Sequence, residues 1–301
     1  MRTLRVMLAL TVAGAMFAAG VAVASAAPVP VKAGVAAPEQ FPPPNSCGCH
    51  AALLEQWSKS MHAKALTDPL YNAKLADANA ATNGTLGAFC NTCHGPAATM
   101  TGEMSKDASL SAGTAVGIGC SWCHQVTGLK PGDPGNTSQV LELTGTMRAQ
   151  IQDPQAPHFA KYSPLHTESR FCGGCHNVNH PVNGMHLEST YSEWEKSPYA
   201  AQGVSCQDCH MSGQPGAVGP SKGAAGAGAP ERPNIFAMSF MGAQVGLGDK
   251  ALAEGMLQSA ATVTLASPEI VAPGSSAAAT VTVTNSGAGH YLPTGLTEVR
   301  E

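Results

Sequence analysis

The sequence predicts a mainly irregular fold with short α-helices, followed by the start of an all-β, sandwich-like module that looks truncated at its C-terminal end. Three observations lead to this fold class. Charged residues make up 12% and aromatic residues 5% of the 301 residues, compared with about 25% charged residues in ordinary globular domains. The ten cysteines form five close pairs, and β-branched residues alternate with others from Thr262 onward. A chain with so few large apolar side chains needs another source of apolar bulk, because one buried Phe or Trp covers about 150–250 Å².

Every cysteine pair is followed directly by a histidine. Four pairs have the spacing Cys-x-x-Cys-His, the attachment signature of a c-type haem, in which two thiols form thioethers with the porphyrin and the histidine ligates iron. The sequence therefore predicts short helices wrapped around covalently bound haems. The predicted attachment residues are Cys47, Cys49, Cys90, Cys93, Cys120, Cys123, Cys172, Cys175, Cys206 and Cys209, and the predicted proximal iron ligands are His50, His94, His124, His176 and His210.

The first motif, Cys47-Gly48-Cys49-His50, is one residue shorter than the others. Glycine tolerates the tighter arc that a single spacer imposes, and His50 is in register with the other four histidines, so we predict a fifth haem here. A vicinal disulfide is the alternative at this motif. For all five pairs, disulfides in an exported protein or zinc sites are the competing interpretations, but neither explains a histidine after every pair.

Five haems with proximal histidines leave five distal positions, and six histidines remain. This near match favours low-spin haems with two histidine ligands, which suit electron transfer. Methionine is the competing ligand and would raise a haem's potential. His180 is the weaker histidine because Pro181 restricts its backbone. The predicted distal ligands are His62, His158, His166, His186 and His290, with His180 and Met238 as secondary candidates.

The first 26 residues have the pattern of a secretory signal peptide. Arg2 and Arg5 precede an apolar run, and Ala24-Ser25-Ala26 fits the small-residue cleavage rule. A membrane anchor is the alternative, since the run nearly reaches spanning length. Cleavage would remove both arginines, change the net charge from −4 to −6 and leave no membrane span. An acidic surface argues against nucleic-acid binding, so we expect an exported protein, either periplasmic or extracellular at the cell surface.

Hydrophobic periodicity predicts few regular elements. Helical spacing predicts helices over 51–64 and 249–260, and a short hairpin is expected over 140–151. Alternating β-branched runs predict strands over 261–265 and 279–285. The predicted segments are a signal peptide over 1–26, an extended N-terminal segment over 27–46, a haem-binding domain over 47–212, a Gly/Ala-rich linker and helix over 213–260, and a partial β-sandwich-like domain over 261–301.

Three stretches resemble a known superfamily. They are Cys-Gly-Cys-His…Gln-Trp-Ser-Lys-Ser-Met-His over 47–62, the paired motifs over 171–211, and Gly-His-Tyr-Leu-Pro-Thr-Gly over 289–295. Together they are similar to the multihaem c-type cytochromes that include the tetrahaem carrier of ammonia oxidisers, pentahaem nitrite reductase and hydroxylamine oxidoreductase. In such proteins the Trp-x-x-Ser-x-His histidine is commonly a distal ligand, which supports His62. The Gly-His-x-x-Pro-Thr-Gly segment leads into a β-domain and similarly supports His290.

The departures from this superfamily are informative. The chain has no Cys-x-x-Cys-Lys active haem of the nitrite reductases, and hydroxylamine oxidoreductases carry more haems. Relatives often have a distal histidine shortly after the last motif, but residues 236–242 read Phe-Ala-Met-Ser-Phe-Met-Gly. The resemblance therefore implies that Met238 or a neighbouring protomer supplies one sixth ligand, as in some extracellular filament cytochromes.

We predict an exported pentahaem cytochrome that passes electrons along mostly bis-histidine haems, in a respiratory route to a periplasmic or extracellular acceptor. Its expected partners are redox proteins, other multihaem cytochromes, or further copies of itself. An enzyme is the first alternative: a multihaem reductase of a nitrogen or sulfur oxyanion with one open haem. A subunit of an extracellular cytochrome filament is the second.

Overall fold

The computed structural model describes residues 27–104 and 109–296, so the predicted signal peptide lies outside the described residues. Short helices joined by loops dominate, as the predicted fold class requires. Within the described ranges, none of the helices is both long and apolar enough to cross a membrane. The helices are α1 Ala51–Lys59, α2 Met61–Lys64, α3 Pro69–Thr82, α4 Thr85–His94, α5 Pro96–Thr101, α6 Cys120–His124, α7 Ser169–Gly173, α8 Thr190–Glu195, α9 Pro198–Ala201, α10 Cys206–His210 and α11 Lys250–Ala260, with 3₁₀ segments at Pro38–Gln40, Pro44–His50 and Pro164–Thr167.

Capping residues explain where several helices begin. The helix predicted over 51–64 forms as α1 and α2, because Ser60 takes an extended backbone and its hydroxyl accepts the Ala63 N–H. Asp68 caps α3 in the same way, by accepting the Leu70 N–H ahead of a proline at the first helical position. The helix predicted over 249–260 is confirmed as α11, which Asp249 caps.

The strands are short and form small sheets. Strands β1, β3 and β2 form one antiparallel sheet in that order, and the other strands described here form the pairs β4–β5, β6–β7, β8–β9 and β10–β11. Their bounds are β1 Val29–Pro30, β2 Val126–Leu129, β3 Gln139–Leu141, β4 Met147–Ala149, β5 Ala160–Tyr162, β6 Val178–Asn179, β7 His186–Glu188, β8 Ser221–Ala224, β9 Glu231–Ile235, β10 Ala261–Ala266 and β11 Thr280–Asn285.

The hairpin predicted over 140–151 is wrong. Strand β3 pairs with β1 and β2, whereas β4 pairs in parallel with β5. Leu141 is fully buried in the hydrophobic core, so packing against that core determines the partner of β3. A short alternating pattern identifies a strand but not the strand that it pairs with.

The hydrophobic core is small. It consists of Val31, Phe41, Ala97, Met100, Trp122, Val126 and Leu141. Trp122 lies between the two cysteines of the third motif, and its indole is 2% exposed. The core therefore holds α6, and with it one cysteine motif, against the three-stranded sheet and the N-terminal segment.

The two strands predicted near the C-terminal end form one antiparallel hairpin. In it Val263 lies opposite Val283 and Leu265 lies opposite Val281, and all four side chains are more than 60% exposed. A two-stranded hairpin is marginal by itself. The sandwich-like module therefore stays a prediction.

Candidate haem-attachment sites

Four of the five cysteine motifs lie on short helices. The second motif ends α4, the third forms α6, the fourth begins in α7 and the fifth forms α10. Residues i, i+3 and i+4 of a helix share one face, so the two thiols and the imidazole of Cys-x-x-Cys-His project together. At α10 the turn is held by a reciprocal capping box between Ser205 and Asp208.

The first motif has a different backbone. It lies on the 3₁₀ segment Pro44–His50, which is kinked at Cys47 (φ −87°, ψ 24°). A Cβ added to Gly48 would meet no atom within 4 Å, and Gly48 has no positive φ. The described backbone therefore gives no steric reason for glycine here, contrary to our expectation.

The glycines of the fourth motif are closely packed, and Gly173 is the one that the packing requires. A Cβ at Gly173 would lie 2.6 Å from the Tyr191 ring, and one at Gly174 would lie 2.2 Å from the side-chain amide of Gln139. Gln139 is buried and its amide donates to the Phe171 carbonyl at 3.0 Å. The space beside this motif is thus already filled by two packed side chains.

The five motif histidines share one contact: each Nδ1 meets an oxygen. An Nδ1–H that donates to an oxygen leaves Nε2 with its lone pair directed away, which is how second-shell groups orient a metal-binding imidazole. The acceptors are the carbonyl oxygens of Ala225 for His50 (2.5 Å), Ala65 for His94 (3.2 Å), Arg148 for His124 (2.6 Å) and Met241 for His210 (2.5 Å), and the Glu188 carboxylate for His176 (3.0 Å).

Four motif histidines face a second histidine ring. The centroid distances are 6.2 Å for His50 and His158, 6.2 Å for His176 and His62, 5.8 Å for His124 and His166, and 6.1 Å for His210 and His290. Two metal–imidazole bonds of about 2 Å each, plus the distance from each nitrogen to its ring centre, span about 6 Å. The spacing therefore fits one metal ion between each pair of rings.

Two other predicted distal ligands, His180 and His186, have no ring contact with a motif histidine in the described residues, and Met238 is the remaining secondary candidate. His186 is exposed at the start of β7, and Nδ1 of His180 accepts the Val182 N–H at 3.2 Å within its own turn. Met238 lies near α1, where its backbone N–H donates to the Gln56 side chain.

His94 has a different environment. Among residues 27–104 and 109–296, no histidine ring faces His94 at the spacing of the other four pairs. Instead the Tyr71 ring stacks on it, with centroids 3.8 Å apart and planes 6° apart. The Tyr71 hydroxyl donates to the Asn91 side chain at 2.6 Å, and Tyr71 is buried. The stack fixes the orientation of the His94 imidazole.

Burial keeps most of these imidazoles neutral. It lowers the pKa of His62 to about 3 and that of His166 to about 4, and it also lowers the pKa of His94, His124 and His210. At His176 desolvation acts in the same direction, but the hydrogen bond and the charge of Glu188 outweigh it and raise the pKa to about 9.

The residues present fit covalent haem. All ten thiols are free, so two sulfurs are available at each motif. The Nδ1 atoms of His62 and His166 are buried without a hydrogen-bond partner in the part of the chain described, and such atoms are rare unless another group satisfies the side chain. Surrounding protein atoms desolvate the His176 ring, but half of its side-chain surface is exposed. The exposed surface leaves room for a flat ligand beside the ring.

Comparison with known proteins agrees with this chemistry. Residues 46–125, which hold the first three motifs, match the family described as cytochrome c554 and c-prime. The fold is similar to the crystal structure of a penta-heme cytochrome c552 from Thermochromatium tepidum, with a TM-score of 0.57 and 22% identity over 85% of this chain and 68% of that one. The family match therefore concerns residues 46–125, and the similarity to the solved structure concerns the fold. No curated protein matches the chain.

Pairs of thiols show which motifs are neighbours. Cys47 lies close enough to Cys120, Cys93 to Cys175, and Cys172 to Cys206 for one thiol to shift the pKa of the other. The fourth motif therefore lies beside both the second and the fifth. It also lies beside the third, because Phe171 packs on His166, the ring that faces His124, at 4.8 Å.

Sequence reasoning missed Tyr71 and Glu188. Both act on a motif histidine, Tyr71 through stacking and Glu188 through a hydrogen bond. Neither stands in an attachment motif. The sequence signal for Glu188 is a carboxylate close to an attachment motif. Many carboxylates meet that condition, so only the fold distinguishes Glu188 from the others.

Proposed function

We propose that this chain is an exported pentahaem c-type cytochrome that transfers electrons. Four haems would each be held by two histidines, and the haem at the second motif by His94 without a second histidine from the described residues. The observation that carries the proposal is the set of four facing imidazole pairs at 5.8–6.2 Å. Each pair joins one motif histidine to a histidine outside the motifs.

Electron transfer follows from ligation of each iron by two histidines. Two imidazoles close both axial positions of an iron, so that haem can change its charge but cannot bind a substrate. The proximity of the motifs supports short separations between the porphyrins, since the fourth motif lies beside the second and the fifth. The signal-peptide pattern and the acidic composition support export and a respiratory role at a periplasmic or extracellular acceptor.

A second function is favoured by the surroundings of His94. An iron with one histidine ligand has an open position, and a small nitrogen or sulfur oxyanion could be reduced there. The absence of a facing histidine in the described residues supports this alternative, which would make the chain a multihaem reductase fed by its four closed haems.

The haem number is tested by the intact mass of the mature protein. Five covalent haem increments are expected. Four would show that Cys47 and Cys49 are not used and would remove one of the five sites from the proposal.

The ligand assignment is tested by electron paramagnetic resonance of the ferric protein and of two single variants. The wild type is expected to give low-spin signals from four haems and a high-spin signal from about one fifth of the iron. His166→Ala should add a second high-spin haem because it removes the ring that faces His124.

The matched control is His186→Ala, since His186 is exposed and faces no motif histidine. It should leave the spectrum unchanged. If the wild type gave no high-spin signal, a high-spin signal in this variant would assign His186 to the haem at the second motif and exclude the reductase alternative. An unchanged spectrum in His166→Ala would contradict the proposed pairing.

A further inference from the structure

One motif histidine has a hydrogen-bond partner of a different chemical class. His50, His94, His124 and His210 each have a neutral backbone carbonyl at Nδ1. His176 instead donates to Oε1 of Glu188 at 3.0 Å. The fourth motif is thus distinguished from the other four by a full negative charge next to its histidine.

The fold holds this carboxylate in place. Strand β7 pairs with β6 so that Glu188 lies opposite Val178, two residues after His176. The Tyr191 N–H donates to the His176 carbonyl at 2.9 Å, and the Thr190 hydroxyl reaches the same Glu188 oxygen at 3.5 Å. The segment that carries Glu188 is therefore tied to the histidine at both ends.

The charge of Glu188 is only partly screened by solvent. Its side chain is 21% exposed, and a charge at hydrogen-bond distance in a poorly solvated place interacts more strongly than one in water. A carboxylate at Nδ1–H also makes the imidazole a more basic ligand. Both effects favour ferric iron, which carries one positive charge more than ferrous iron.

We propose that Glu188 is a positioning residue that sets the haem at the fourth motif to the most negative potential of the five. The proposal rests on the proposed haem attachment. Hydrogen bonding and charge around the ligands are established determinants of haem potential, and here a single side chain distinguishes one site from four similar ones.

Because this haem would lie among three others, a negative midpoint potential there would affect how electrons move between them. The fourth motif lies beside the second and the fifth, because their thiols are close enough to shift each other's pKa, and beside the third through Phe171. A haem at this branch that is harder to reduce than its neighbours would pass electrons between them without retaining them. At partial reduction, the electrons would reside on the outer haems.

The test is a spectroelectrochemical titration of haem-loaded Glu188→Gln. The glutamine oxygen can still accept from Nδ1, so His176 would gain a neutral acceptor like those of the other four histidines. We expect the most negative of the five one-electron midpoints to rise by about 59 mV or more, equivalent to a tenfold change in the equilibrium constant. The other four should stay in place, and the low-spin signal of one haem should change.

Glu195→Gln is the matched control. Glu195 ends α8 close by in sequence and is exposed, and its side chain contacts the Tyr191 hydroxyl at 3.4 Å. The Glu195→Gln substitution removes the same charge and should leave all five midpoint potentials unchanged. Glu188→Asp keeps the charge and should shift the midpoint less than Glu188→Gln, which covers the case in which the glutamine variant fails to load haem.

Two results would overturn the proposal. Unchanged midpoints in a Glu188→Gln protein that carries all its haems would show that the carboxylate does not set a potential. Equal shifts in Glu188→Gln and Glu195→Gln would show a general effect of surface charge. The intact mass of each variant reports haem attachment separately, so failure of the proposed function is distinguishable from failure of this inference.

Discussion

At the scale of single residues, glycines at equivalent positions of two attachment motifs have different roles. A side chain at Gly48 would point into open space, whereas one at Gly173 would meet the Tyr191 ring at 2.6 Å and Pro134 at 3.1 Å. An aromatic ring and a proline cannot move aside as the end of a long side chain can. The fourth motif is therefore packed tightly on its outer side, and the first is not.

Gly173→Ala is expected to destabilise the haem-loaded protein by about 1–3 kcal/mol, the usual cost of overpacking. Gly48→Ala is the control and should change the free energy of unfolding by less than about 0.5 kcal/mol, as surface substitutions do. Denaturant unfolding of both variants measures the difference. Equal destabilisation by the two substitutions would contradict the described packing.

At the scale of elements, hydrogen bonds outside the motifs position the facing histidines. The loop after β11 carries His290, and it is held against α8 by Glu193. The carboxylate accepts the Tyr291 N–H at 3.0 Å and the Thr294 hydroxyl at 2.6 Å. Since the His290 ring lies 6.1 Å from that of His210, α8 sets the distance between two elements that are remote in sequence.

Glu193→Ala should therefore loosen the His290 loop. Loss of hydrogen bonds to a charged group costs about 1.5–3 kcal/mol, which would weaken ligation by His290 about tenfold or more. We expect the reduced variant to bind carbon monoxide at one haem more than the wild type does, measured by optical difference spectra. Glu195→Ala on the same helix should bind as the wild type does, and equal binding by Glu193→Ala would contradict this role.

At the scale of the whole molecule, the cluster of buried apolar side chains is too small for a chain of this length. Its seven members gather around Trp122 and Phe41, while many buried side chains are polar, including Gln125 and Gln139. Burial of apolar surface contributes about 25 cal/mol per Å². Covalent porphyrins packed between short helices would add the apolar surface that the side chains do not supply.

The chain produced without haem attachment is accordingly expected to lack a cooperative thermal transition, whereas the haem-loaded protein should unfold in a single sharp one. Near-ultraviolet circular dichroism and calorimetry of the two forms at equal concentration provide the measurement. A haem-free chain that melts cooperatively near the temperature of the loaded protein would show that the side-chain core suffices.

Much of the local structure could be predicted from local sequence. Helix α11 and the strands β10 and β11 follow from periodicity and from a capping residue. The predicted attachment positions follow from Cys-x-x-Cys-His because cysteines three apart and the next residue share a face within one helical turn. The error at β3 arose where the partner strand lies elsewhere in the chain, since a local pattern carries no information about the partner.

The sequence by itself determined the prediction of five haem sites and of the residues that would attach them, because each attachment motif is complete within four or five consecutive residues. Tertiary structure alone decided that His62 faces His176, that His290 faces His210, and that no histidine in the described residues faces His94. It also decided that Glu188, and not another carboxylate, reaches a motif histidine. These relations are distances between residues far apart in the chain, and they exist only once short helices and small sheets have packed together.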